Sequence, residues 1–133
     1  MKNILVAYDG GEPAHRALEA AVELAKRFDA SLAVVSVVPL HPGRSPIDPW
    51  DDQEVHKREL EEARGFLADA GINADCVELG GDPAREIEKV VEERNYDMVV
   101  LGSRGLGALS RFLQGSVSEH VATHADATVV ISR

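Results

Sequence analysis

With 133 residues, 44% of them hydrophobic, the chain has the size of one domain and enough apolar side chains for a packed core. Its formal net charge of −9, from 23 acidic and 14 basic residues, excludes the basic face that a nucleic-acid partner would demand and favours a soluble protein. A single cysteine, Cys76, excludes an intrachain disulfide and any cysteine-based metal motif, and fits a reducing cytoplasm.

The first apolar run, NILVAY over residues 3–8, meets Asp9 after six residues. It reads as a strand buried on both faces. It is too short for a signal peptide or a membrane span, and no later run is long enough, so a cytoplasmic location with no membrane partner is expected. Residues 13–28 place Ala14, Ala17, Leu18, Ala21, Val22, Ala25 and Phe28 at helical spacing, with Pro13 suited to the first helical position. Residues 31–38 (SLAVVSVV) read as a second buried strand. Residues 39–50 (PLHPGRSPIDPW) hold four prolines and form the one long loop, which is either a plain surface connection or a lid or partner contact.

Asp51 then opens a helix, with Glu54 three residues on as a capping pair. Val55, Ala63, Phe66, Leu67 and Ala70 make its apolar face, and Gly71 is its stop. Residues 74–79 (ADCVEL) are less uniformly apolar, as in an edge strand, with Cys76 a small apolar filler. Asp82-Pro83 starts a helix that Ala84, Ile87, Val90 and Val91 continue to about residue 94. Residues 97–101 (DMVVL) form another buried strand. A short helix over about 116–124 and a last strand, ATVVIS over 127–132, complete the chain. The order βαβαβαβαβ predicts a single α/β domain over residues 1–133, a parallel sheet with helices on both faces.

Between the fourth strand and the last helix lies GSRGLGALSRFLQGS, residues 102–116, with four of the eleven glycines and with Leu106, Leu109, Phe112 and Leu113. Four apolar side chains suit a loop packed back onto the domain. Glycines let a backbone approach a ligand closely, and the helix that begins at Ser116 offers free N–H groups and a positive dipole end. Together these describe a site for an anion, phosphate above all. The better-known phosphate motifs are absent: no GxxxxGK[ST] occurs, and the first strand is followed by DGGEP rather than GxGxxG. Glycines after the fourth strand make sense if strands one and four are neighbours, in the order 3-2-1-4-5, with a crevice between Asp9 and Gly102.

The spacing Gly102-x2-Gly105-x9-Gly115-Ser116 resembles the nucleotide-binding signature of universal stress proteins. The likeness extends to NILVAYDGG, DPAREI, YDMVVLGSRG and GSVSEHVATHADATVVISR, nearly the whole chain. It implies the family's Rossmann-like three-layer sandwich, akin to the adenine nucleotide alpha hydrolases, with ATP (or ADP or AMP) in the crevice. By position, Ala7 and Asp9 would flank the adenine and ribose, Val37 would meet adenine through its backbone, and Leu101 would form an apolar wall. Gly102, Ser103, Arg104 and Gly105 would wrap the sugar–phosphate region. Gly115, Ser116, Val117 and Ser118 would bind the phosphates, accompanied by Mg²⁺ or Mn²⁺. Ala7 stands where some nucleotide-binding members carry proline.

Each of these residues also has a plainer reading. The glycines make tight turns, Ser116 and Glu119 form a capping box, Asp9-Gly10 is a turn, and Arg104 and Arg111 face solvent. The histidines at 15, 41, 56, 120 and 124 show no metal-ligand spacing with acidic partners. A two-His site at His120 and His124 is conceivable, but ordinary helix-surface residues are the expectation, and no protein side chain is assigned to a metal. No lysine or catalytic base appears in the loop, so a binding module that responds to stress through its occupied or dimeric state is preferred. The alternative is a slow ATPase or a phosphoryl- or adenylyl-transfer enzyme. An apolar last strand at a sheet edge predicts a homodimer through residues 127–132, as the resemblance also implies.

Overall fold

The computed structural model describes residues 2–39, 53–102 and 116–132. Along the chain these form β1 (Asn3–Ala7), α1 (Glu12–Phe28), β2 (Ser31–Pro39), α2 (Gln53–Asp69), β3 (Ala74–Gly81), α3 (Pro83–Arg94), β4 (Met98–Gly102), α4 (Ser116–His124) and β5 (Thr128–Ser132). All strands are parallel, in the order β3-β2-β1-β4-β5 that the glycine placement requires. The expected capping pair Asp51–Glu54, the side chain of Val55 and most of the proline-rich loop lie outside the described residues.

The register stacks valines across the sheet. Val34, Val6, Val100 and Val130 pair in one row, and Cys76 extends it onto β3. Because side chains alternate along a strand, this row and its neighbours Ile4 and Tyr8 meet α1 and α2. Leu5, Ala7, Ala33, Val35, Val37, Val99 and Leu101 point the other way, against Ala84, Ile87 and Val91 of α3 and Val121 of α4. Burial on both faces is why the central strands read as continuous apolar runs rather than alternating ones.

Each helix buries the stripe its spacing sets. In α1 these are Ala14, Ala17, Leu18, Ala21, Val22 and Ala25. Phe28 continues the stripe in sequence but is 50% exposed. Helix α1 also opens one residue earlier than expected, with Gly11 as N-cap and Glu12 ahead of Pro13. Proline is tolerated there because the first-turn N–H groups have no partner within the helix.

Leu60, Ala63 and Leu67 carry α2, with Phe66 and Ala70 partly buried beside them. Its stop is a Schellman motif: Gly71 N–H donates to the Ala68 carbonyl at 3.0 Å and Ile72 N–H to that of Leu67 at 2.9 Å, with Gly71 at φ +74°. Asp82 caps α3 by position and Pro83 is its first residue, as expected.

Candidate functional site

The strand order reverses between β1 and β4, so their carboxyl ends open a crevice where open α/β sheets bind ligands. Val6 pairs with Val100, and one residue past that pair lie Ala7, the last residue of β1, and Leu101, the last but one of β4. Ala7, Val37 and Leu101 share one buried cluster, at no more than 2% exposure. They form the floor of this end of the sheet.

Above the floor the chain turns sharply. Asp9 is 6% exposed, and its Oδ1 accepts the Gly11 N–H at 2.9 Å. Gly10 adopts φ +81°, a conformation that favours glycine. A Cβ there would fall 2.8 Å from the Glu59 side chain, which reaches in from α2 and is itself buried. Gly102 is tighter still, because an added Cβ would lie 2.8 Å from the backbone carbonyl carbon of Pro13 and 3.0 Å from Ala14 N. The missing side chain thus lets the end of β4 seat directly against the first turn of α1.

Burial pushes the Tyr8 phenol up to about 12, and the carboxylates of Glu62, Glu59 and Asp9 add to that shift. Glu59 is a support of this turn that sequence reasoning missed. It sits in an acidic helix of ordinary appearance, 49 positions beyond the glycine it touches, and no local pattern marks it. Residues 116–118 make the first turn of α4, whose N–H groups have no partner within the helix.

The family model described as the universal stress protein family matches residues 1–133. A Staphylococcus aureus (strain USA300) protein whose name places it in the same group is 35% identical over 140 residues, covering 99% of this chain and 84% of the relative. The chain belongs to the universal stress protein family. Universal stress protein UspA from Lactobacillus plantarum superposes with a TM-score of 0.82 at 29% identity, covering 99% of this chain and 97% of that one. Two further solved universal stress proteins share the fold. One, from Archaeoglobus fulgidus in complex with dAMP, has a TM-score of 0.78 at 24% identity, with 100% and 98% coverage. The other, in complex with cAMP, has a TM-score of 0.77 at 23% identity, with 99% and 97% coverage.

Within this universal stress protein, the structure brings together Ala7, Asp9, Leu101 and Gly102 at the β1–β4 crevice, and Val37 two residues past the Ala7–Val35 pair on β2. Ser103, Arg104, Gly105, Arg111 and Gly115 lie outside the described residues, as do the side chains of Ser116, Val117 and Ser118 and hence the Ser116–Glu119 capping box. Cys76 packs partly buried on the α1–α2 side, and burial pushes its thiol up, in keeping with an inert filler. No helix among the described residues is long and apolar enough to cross a membrane.

Proposed function

We propose that the chain binds an adenine nucleotide, ATP in its fullest form, in the crevice between β1 and β4 and acts through its occupied state. The observation that carries this reading is the polarity of the crevice. Buried Asp9, just past the end of β1, makes that side acidic, a place for the hydroxyl donors of a ribose and a poor one for phosphate. The free N–H groups and positive dipole end of the first turn of α4, although Glu119 stands in that turn, suit the phosphates. A nucleotide laid across the crevice meets each end with matching charge. Solved relatives holding dAMP and cAMP support the adenine class. In this reading Ala7, Val37 and Leu101 lie under the base, residues 102–105 and 115–118 surround the sugar and phosphates, and Mg²⁺ or Mn²⁺ accompanies the phosphates.

Titration calorimetry with ATP, ADP and AMP, with and without Mg²⁺, tests the proposal. Asp9→Ala is expected to weaken ATP by roughly tenfold to a hundredfold, the worth of a hydrogen bond to a charged group. No heat with any adenine nucleotide would sink the reading. Mass spectrometry of nucleotide released from purified protein then reports the ATP-to-ADP ratio, which separates a binding module from a slow hydrolase.

We further propose that two copies pair through β5, in the cytoplasm. The strand ends the sheet, and its Ile131 is 41% exposed, an apolar edge that a second copy would cover by self-complementary pairing. Sedimentation velocity should give a dimer for the native chain and a monomer for Ile131→Glu. A native monomer at micromolar concentration refutes the dimer.

A further inference from the structure

The packing of α3 against α4 assembles a group that the sequence keeps 32 residues apart. Ile87 and Val91 of α3 and Val121 of α4 are buried together, which fixes the two helices side by side. Their neighbours on the outer flank are Glu88, His120 and His124. The two histidines stand four apart, on one face of α4. Their rings stack with centroids 4.2 Å apart and 22° between planes. One donor atom from each of Glu88, His120 and His124 lies within 4.8 Å of the other two.

The contacts within the group are close. His120 Nδ1 lies 2.5 Å from Glu88 Oε1, which sets a ring nitrogen beside a carboxylate oxygen. His124 Nδ1 lies 2.9 Å from the His120 carbonyl oxygen, which can only accept, so Nδ1 donates and a metal would be met by Nε2. An imidazole oriented by a backbone carbonyl through its far nitrogen is a usual support of a metal-binding histidine.

We propose that Glu88, His120 and His124 form a site for a first-row divalent cation of the zinc class, open to water at its remaining positions. Two imidazoles and one carboxylate suit Zn²⁺, whereas Mg²⁺ prefers an all-oxygen shell. Tetrahedral zinc with ordinary bond lengths needs its donors about 3.4 Å apart. Rotation of the partly exposed side chains (His120 at 44% and Glu88 at 23%) closes the difference. The site is separate from the nucleotide crevice, because it lies on the outer flank of α3 and α4 rather than at the ends of β1 and β4.

The test is calorimetry with zinc chloride on the untagged full chain, with Mg²⁺ in the buffer and no added nucleotide, backed by the visible spectrum of the Co²⁺ form. One zinc per chain is expected, with tetrahedral cobalt bands. His120→Ala and His124→Ala should each weaken zinc by about a hundredfold or more, and Glu88→Gln by about tenfold to a hundredfold. His15→Ala should leave binding unchanged, although His15 also faces a carboxylate, Glu19, at 3.2 Å. No zinc binding by the native chain, half a zinc per chain, or native affinity in both His120→Ala and His124→Ala would overturn the proposal.

Discussion

The two ends of the sheet use the same residue types differently. At the amino end, Gly71 turns the chain at φ +74° with nothing within 4 Å of where a Cβ would sit. At the carboxyl end, Gly10 and Gly102 have neighbours at 2.8 Å. Aspartates divide in the same way. Asp97 at the amino end is exposed and stitches strands together, whereas Asp9 at the carboxyl end is buried in the turn above the crevice. Glycine at one end serves a turn that any open space would allow. At the other it serves close approach, and close approach is what shapes a crevice.

Alanine in place of each glycine sharpens this contrast. Gly102→Ala should cost the most, about 1–3 kcal/mol of stability, because the new Cβ meets the backbone of α1, which cannot step aside as a side chain can. Gly10→Ala should cost about 1–2 kcal/mol for the left-handed backbone alone, with Glu59 displaced from its buried position as well. Gly71→Ala carries only the backbone part. Urea unfolding of the three variants measures the order. Equal losses at Gly71 and Gly10, with none at Gly102, would mean that crowding at the carboxyl end contributes nothing. The two carboxyl-end variants should also weaken adenine nucleotide, and Gly71→Ala should not.

Much of this was legible in the sequence. The alternation of β-branched runs such as SLAVVSVV with the stripe Ala14, Ala17, Leu18, Ala21 gave a parallel sheet, because those patterns report burial within one element. The position of Gly102 after the fourth strand, rather than after the first, implied that β1 and β4 are neighbours. The structure's additions come from residues far apart in the chain. Glu59 against Gly10 and Glu88 against His120 depend on how helices pack, and neither pairing leaves a local signal. Phe28 shows a related limit, because spacing states which face of a helix a side chain shares but not how deeply it is covered.

The smallest effect belongs to the amino end, and its signature is pH. Asp97 Oδ2 accepts the backbone N–H groups of Lys2 and Asn3, each at 2.8 Å. Those two bonds, that of Lys2 first, hold its carboxyl below the usual carboxylate range. Its backbone completes the junction: Asp97 N–H donates to the Asn3 carbonyl at 2.9 Å, and its own carbonyl accepts from Thr128 N–H at 3.0 Å. The starts of β1, β4 and β5 are thus tied at one residue. A carboxyl whose native value lies below its unfolded value contributes stability above the unfolded value and loses it as pH falls through the native one. Asp97→Asn should therefore be less stable than the native chain near neutral pH, and the two stability curves should converge in acid. Thermal melts across that range provide the check. A gap that persists undiminished in acid would mean that the ionised carboxylate is not what ties the strands, and that side-chain shape alone closes this end of the sheet.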